Sequence, residues 1–200
     1  MARRRGATGT VRIIGGRWKG QRLRVPEVPG LRPTPDRVRE TLFNWLAPRL
    51  GTGTVVDLFA GSGVLGFEAA SRGAPRVVLV ERHPRALAVL RAQRARLPGA
   101  EGVRIERSDA LRWLERAALE QVTGLLLDPP YGSGLLEAAL ARLRARTPRA
   151  LAWLYLEFPA RTDPAELQPR LPEGFRILRQ ARAGDVGYAL ALPEVGESPG

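Results

Sequence analysis

The chain contains no cysteine, which excludes disulfides, thiolate metal sites and a cysteine nucleophile. It has a single histidine, His83, and a single asparagine, Asn44, and all but one of its 32 basic residues are arginine, the exception being Lys19. No run approaches the roughly 18 apolar residues a membrane span needs. The arginine-rich start is followed by no apolar stretch of the kind a secretory signal carries. There is no Gly-Lys-Ser/Thr sequence, so a P-loop is excluded. These absences predict a cytoplasmic protein with no membrane association and no metal site.

What is present is basic. The net charge is +12 over 200 residues, and residues 1–40 hold 11 Lys/Arg against 3 Asp/Glu, so two thirds of the excess sits in one fifth of the chain. A local excess of this kind is a footprint for a polyanion, although a solubilising tail would look the same. Residues 11–25 read as two short strands around Gly15-Gly16. A proline-rich connection, 26–33, leads to Thr34-Pro35-Asp36, which has the chemistry of a helix start: threonine cap, proline at the first position, acid in the first turn. Val38, Leu42, Trp45 and Leu46 then form one apolar stripe.

From there apolar strand-like runs (54–59, 76–81, 103–107, 124–128, 151–157) alternate with helical patterns (64–72, 83–97, 109–119, 135–146). That alternation predicts a doubly wound, mostly parallel sheet covered on both faces. Residues 175–181 and 186–192 read as a closing antiparallel hairpin. The expected division is a basic N-terminal β extension over 1–30, an α/β catalytic domain over 31–192, and a disordered tail over 193–200.

Gly61-x-Gly63-x-x-Gly66 lies between the first strand of this series and its helix, and the next strand ends in Glu81, the context of a nucleoside-containing ligand. Asp57 stands at the mouth of the same loop. A carboxylate there opposes a pyrophosphate but suits the ammonium and sulfonium of S-adenosylmethionine. Asp109 ends the third strand, placed to accept from an adenine amine or to cap the following helix. His83 reads as a helix-start residue.

The run 124–127 breaks on Asp128-Pro129-Pro130-Tyr131. Asp-Pro-Pro is ordinary turn chemistry. At the rim of a strand beside the cofactor crevice it has a second reading. The Asp128 carboxylate and the Pro129 carbonyl can each accept one N–H of an exocyclic amine, and Tyr131 can stack on an unstacked base. Methylation at carbon 5 of a pyrimidine proceeds through a cysteine, which this chain lacks, so the expected chemistry is at nitrogen.

The stretches Arg12-Ile-Ile-Gly-Gly-Arg-Trp-Lys-Gly20, 31–46, Asp57 to Gly66 and Asp128 to Tyr131, in that order, resemble the RsmD family of 16S rRNA guanine-N2 methyltransferases. The resemblance spans about residues 11–192. It implies a class I methyltransferase fold, S-adenosylmethionine as donor and S-adenosylhomocysteine as product. It also implies a guanine of 16S rRNA in the assembled or assembling small ribosomal subunit as target, and a monomer. By motif, Asp57, Phe59, Gly61, Gly63, Glu81, Asp109 and Ala110 carry over as cofactor contacts, and Asp128, Pro129, Pro130 and Tyr131 as the catalytic element. Arg12, Arg17, Lys19, Arg22, Arg32 and Arg37 are the expected RNA contacts. A DNA adenine-N6 or a protein-glutamine methyltransferase shares the Asp-Pro-Pro-Tyr chemistry. A NAD-dependent oxidoreductase explains the glycines and Glu81 but not Asp57 or Asp128.

Overall fold

A computed structural model describes residues 9–28 and 33–194. Arg32, the first eight residues and the end of the expected tail (195–200) lie outside the described residues. The chain opens with a hairpin of β1 (Thr10–Arg12) and β2 (Arg22–Arg24), followed by α1 (Asp36–Leu46). The α/β series is β3 (Thr54–Asp57), α2 (Val64–Ser71), β4 (Arg76–Glu81), α3 (Pro84–Arg96), β5 (Val103–Arg107), α4 (Ala110–Arg116), β6 (Val122–Leu127), α5 (Leu135–Ala145) and β7 (Trp153–Pro159). The hairpin of β8 (Phe175–Ala183) and β9 (Val186–Pro193) ends it.

The seven strands β3–β9 form one sheet in the order β5-β4-β3-β6-β7-β9-β8. Five are parallel, and β9 returns antiparallel to β7. This is the class I methyltransferase fold with the expected antiparallel ending. The order of the strands reverses beside β3, so β3 and β6 are neighbours, with Asp57 in register with Leu126. Ligands of such sheets bind at that crevice, outside the carboxyl ends of the strands.

Both faces of the sheet are buried. Successive residues Val55 and Val56 belong to different core clusters, one under α1–α3 and the other under α4 and α5. This follows from the period-2 alternation of a strand and explains why β3, β6 and β7 read as mostly apolar runs.

The basic hairpin does not stand apart from this core. Val11, Ile13, Trp18 and Leu23 are buried in the cluster that contains Leu42, Phe43 and Phe67. Four hydrogen bonds fasten the connection between β1 and β2. Ile14 N–H donates to Glu68 (2.9 Å), Trp18 N–H to Ser71 Oγ (2.9 Å), Ser71 Oγ to the Gly15 carbonyl (2.6 Å) and Trp18 Nε1 to the Pro98 carbonyl (2.8 Å). Behind them lies a fully buried arginine. Arg39 of α1 donates to the Thr34 carbonyl (3.1 Å), the Arg12 carbonyl (2.8 Å), Glu68 (3.1 Å) and Asp36 (2.5 Å).

Thr34 departs from its expected role. The residue before α1 is Pro35, and no side chain caps the helix. The Thr34 hydroxyl turns inward and donates to Asp128 Oδ2 (3.2 Å). Pro35 takes the position before the helix, and the Thr34 hydroxyl proton goes to a carboxylate, one of the stronger hydrogen bonds.

Candidate active site

The carboxyl ends of four adjacent parallel strands deliver acids to one rim: Asp57 from β3, Glu81 from β4, Asp128 just past β6 and Glu157 near the end of β7. Among the described residues, no Lys or Arg forms an ion pair with any of these four. Nor do any His, Cys, Asp or Glu there form a group suited to holding a metal ion.

Gly63 sits at φ 77°, immediately before α2, and no side chain caps the helix. Only glycine adopts that conformation without strain. Gly66 serves a different need: a Cβ there would lie 2.1 Å from Leu79 Cδ2 and 3.3 Å from Asp57, so α2 could not approach β3 and β4 this closely with any other residue. The Gly66 N–H donates to Asp57 Oδ2 at 3.1 Å. Asp57 is 2% exposed. Burial, then the charge of Asp128 and, more weakly, of Glu81, lifts its carboxyl to about 7, against backbone hydrogen bonds from Gly66 and Phe59.

Glu81 organises the opposite wall. One oxygen accepts from Gly61 N–H (2.9 Å), the other from Arg82 (2.8 Å) and His83 (2.7 Å). A carboxylate has about four lone-pair positions, so three backbone donors leave one for a ligand hydroxyl. His83 precedes α3, its ring accepting from Arg85 N–H. Asp109 caps α4 through Leu111 and Arg112 N–H, with its other oxygen 3.3 Å from Arg82. The cap that the sequence offered for Asp109 is thus formed, through one of its two oxygens. Asp109, Arg82, Arg112 and Trp113 line an open cleft of about 520 Å³ beside the end of β5. Ala110 begins α4 and is buried, and Phe59 packs against the α4–α5 core.

Asp128 is partly buried and its carboxyl is raised to about 6 by burial, a rise limited by hydrogen bonds with Thr34 and Glu157. Pro129 is buried and Pro130 exposed. Tyr131, 45% exposed, is one of only two large hydrophobic side chains exposed among the described residues. Partial burial and the Glu157 and Asp128 carboxyls push its phenol up, so it is neutral.

The expected RNA contacts among the described residues lie on the hairpin and the first turn of α1, with Arg12 in register with Arg22. Arg12 lies 3.6 Å from Asp36, and Arg37 follows in the first turn of α1, both close to Thr34. Arg17 stacks over Trp18 (4.6 Å), whose backbone is tied to the far end of α2 at Ser71. Eight residues of helix separate that point from the glycine loop, or about 12 Å. Lys19 and Arg22 are exposed on the same hairpin.

Three residues of this site were not singled out from the sequence: Thr34 as a partner of Asp128, Glu157, and Tyr155, whose hydroxyl donates to Glu157 Oε1 at 2.7 Å. The available signal was an acid inside an otherwise apolar strand, Trp153 to Phe158.

The family model "Conserved hypothetical protein 95" matches residues 11–191. The chain belongs to this family. The likeness of its motifs to the RsmD family thereby holds over nearly the whole chain. It is 39% identical to "Ribosomal RNA small subunit methyltransferase D" of Escherichia coli K12, over 96% of this chain and 94% of that protein. It is 36% identical to the protein of the same name in Haemophilus influenzae, over 92% and 94%. Among solved structures, "Putative methyltransferase yhhF from Escherichia coli" superposes with a TM-score of 0.77 at 38% identity, covering 93% of this chain and 99% of that one. The relatives and the fold are thus those of a methyltransferase family.

Proposed function

We propose that the protein transfers a methyl group from S-adenosylmethionine to the exocyclic N2 amine of a guanine in 16S rRNA of the small ribosomal subunit. The observation that carries this reading is the meeting of Asp57 and Asp128 at the switch between β3 and β6, with Tyr131 standing exposed beside them. The names of the relatives at 39% and 36% identity support the rRNA substrate.

The residues fit the donor. An acid-lined crevice without a paired cation is unsuited to a pyrophosphate and suited to a ligand bearing an ammonium and a sulfonium. Asp57 faces that positive charge, the loop from Gly61 to Gly63 lets the backbone approach, and Glu81 keeps a position for a ribose hydroxyl. When bound, S-adenosylmethionine supplies a methyl group on a positively charged sulfur, which leaves as a neutral thioether when an amine nitrogen attacks the methyl carbon.

The chain's own part is to present the amine. A nucleobase amine is a poor nucleophile because its lone pair is delocalised into the ring. Asp128 accepts one N–H and the Pro129 carbonyl the other, which turns the lone pair toward the donor. Asp128 also stabilises the positive charge that develops on nitrogen before its proton leaves. Tyr131 offers a stacking face to a base drawn out of its helix or loop. Labelled-methyl transfer to purified small subunits, compared with bare rRNA and duplex DNA, tests the substrate. Incorporation into DNA in preference to the subunit would overturn it.

Asp57 makes cofactor binding pH-dependent. Below about 7 its carboxyl is largely neutral in the free protein, and a ligand cation beside it favours the ionised form. Binding therefore releases a proton, and affinity rises with pH until Asp57 is ionised without help. Calorimetry in buffers of different ionisation enthalpy should detect the proton. Affinity that is flat between about pH 6 and 8, with no proton release, contradicts this role.

The basic residues can be tested singly. Deletion of 1–30 would remove Val11, Ile13, Trp18 and Leu23 from the core, so charge removal by Arg12→Ala, Arg17→Ala, Lys19→Ala or Arg37→Ala is the cleaner experiment. Each one that contacts a phosphate should weaken subunit binding and lower the slope of log affinity against log salt by roughly one. Cofactor affinity should not change. Unchanged slopes for all four would return the basic segment to a solubilising role.

A further inference from the structure

Glu157 is the one buried acid of the rim with no part in the scheme above. It is 3% exposed, in the middle of the sheet, on a strand whose neighbours Trp153, Leu154, Leu156 and Phe158 are all core. Leu127 of β6 is in register with Leu156 of β7, so the step to the next residue on each sets Glu157 beside the amine-holding Asp128. Tyr155 donates its phenolic proton to Glu157 Oε1 at 2.7 Å, and Thr34 donates its hydroxyl proton to Asp128 Oδ2 at 3.2 Å. The Glu157 and Asp128 carboxyls are in turn within hydrogen-bonding reach of each other, and the Thr34 hydroxyl, with its single proton, is within reach of both.

Counting protons decides what this cluster is. A phenol and a threonine hydroxyl each carry one proton. Both are already used, so the carboxyl–carboxyl contact needs a third, and only a carboxylic acid can supply it. Two carboxylates side by side in a buried site do not both ionise. We infer that Glu157 is a positioning residue that shares one proton with Asp128, so that the pair carries a single negative charge and the Asp128 carboxylate is held in one orientation toward the target amine. The inference rests on the reading of Asp128 as the residue that holds that amine.

Exposure favours Glu157 as the partner that keeps the proton, since it is buried within the sheet whereas Asp128 is only partly buried at the rim. Burial, then the Asp128 charge, pushes the Glu157 carboxyl well above the usual range. The other titratable groups facing the pair are Asp57 of β3, Tyr155 of β7 itself, Tyr188 of β9, and Tyr131 at the rim with Asp185 beyond it. No cation is among them, and the charge of Asp57 favours keeping the shared proton, against the hydrogen bond that Tyr155 donates to Glu157. Thr34 completes the arrangement. Its carbonyl accepts from Arg39 at 3.1 Å, which fixes the backbone from which its hydroxyl reaches Asp128.

Glu157→Gln keeps an acceptor for Tyr155 and a permanent N–H donor for Asp128 but cannot titrate. Glu157→Leu removes both and suits a buried strand. In carboxyl-¹³C NMR of the ligand-free protein, one glutamate signal, absent from Glu157→Gln, should remain protonated at neutral pH while the Asp128 signal is ionised. In single-turnover methylation of small subunits at saturating cofactor, Glu157→Gln should stay within a few-fold of wild type and lose the alkaline fall in rate that ionisation of Glu157 causes. Glu157→Leu should lose roughly ten- to hundredfold in rate with cofactor affinity unchanged, and its acidic limb should move to higher pH because Asp128 has lost a donor. A Glu157 signal already ionised at neutral pH would overturn proton sharing. Glu157→Gln impaired as deeply as Glu157→Leu, or keeping the wild-type alkaline limb, would overturn the positioning role. The NMR experiment uses no substrate, so it decides the proton's location even where wild-type protein fails to methylate the subunit, a failure that would count against the proposed function instead.

Discussion

Asp128→Ala should abolish methyl transfer to the small subunit and change S-adenosylmethionine affinity far less, through the charge that Asp128 places beside Asp57. Asp128 stands past the end of β6, and its hydrogen-bond partners are Thr34 and Glu157, not residues of the glycine loop. Removal takes away the acceptor that orients the amine and the charge that stabilises the developing ammonium. Loss of one preorganised electrostatic contact of this kind costs a rate factor of about 10²–10³. The loss of alignment adds to it. Asp128→Asn separates the two contributions, since its amide keeps an acceptor oxygen but not the charge. We expect an activity between those of wild type and Asp128→Ala. Tyr131→Phe should be mild and Tyr131→Ala severe, because stacking needs the ring and not the hydroxyl. Single-turnover rates with cofactor saturating provide the measurement. Wild-type rates for Asp128→Ala would reduce Asp-Pro-Pro-Tyr to a turn.

The largest effect on stability should come from Arg39→Ala, which we expect to destabilise the protein by roughly 3–5 kcal/mol, the cost of leaving a buried charge without its partner. Glu68 loses that partner within the core while still accepting from Ile14 and Arg72. Many buried ion pairs can be replaced by apolar residues at no cost, and this one should differ. Arg39 serves two backbone carbonyls, Thr34 and Arg12, and Glu68 serves the Ile14 N–H. An Arg39→Met, Glu68→Leu double variant therefore leaves three backbone groups unpaired, each costing about 1–3 kcal/mol when buried, and should remain destabilised. Chemical denaturation checks both variants. A double variant as stable as wild type would show that the network is not what fastens the N-terminal hairpin to α1 and α2.

The parallel series was legible because its strands are buried on both faces and α5 carries a clear stripe of Leu136, Ala139, Leu140 and Leu143; β4 and β5 occupy the expected residues. The glycine loop was legible because strand, turn and helix come in sequence order. What was not legible depends on residues far apart in the chain. Thr34 reads as a cap since the local rule concerns only the next few residues, whereas its partner is 94 positions away. Arg39 lies next to the apolar stripe of α1, and a charged residue there is ordinarily solvated; only Glu68, 29 residues on, makes its burial tolerable. Glu157 is concealed for a related reason. Its strand reads as core, and an acid in a core strand has no meaning until the fold sets it beside Asp128. The hairpin's basic surface was visible, but not the buried Ile13, Trp18 and Leu23 that make its other face part of the domain.

The central claim is a methyl group placed on a guanine N2 of 16S rRNA, and nucleoside analysis of the reaction product tests it most directly. Small subunits lacking the modification are incubated with the protein and labelled S-adenosylmethionine. The rRNA is then digested to nucleosides and separated by mass. The account predicts label in N2-methylguanosine, one site per subunit, and none with Asp128→Ala. Label in any other nucleoside, or none in rRNA with active cofactor-binding protein, would contradict it.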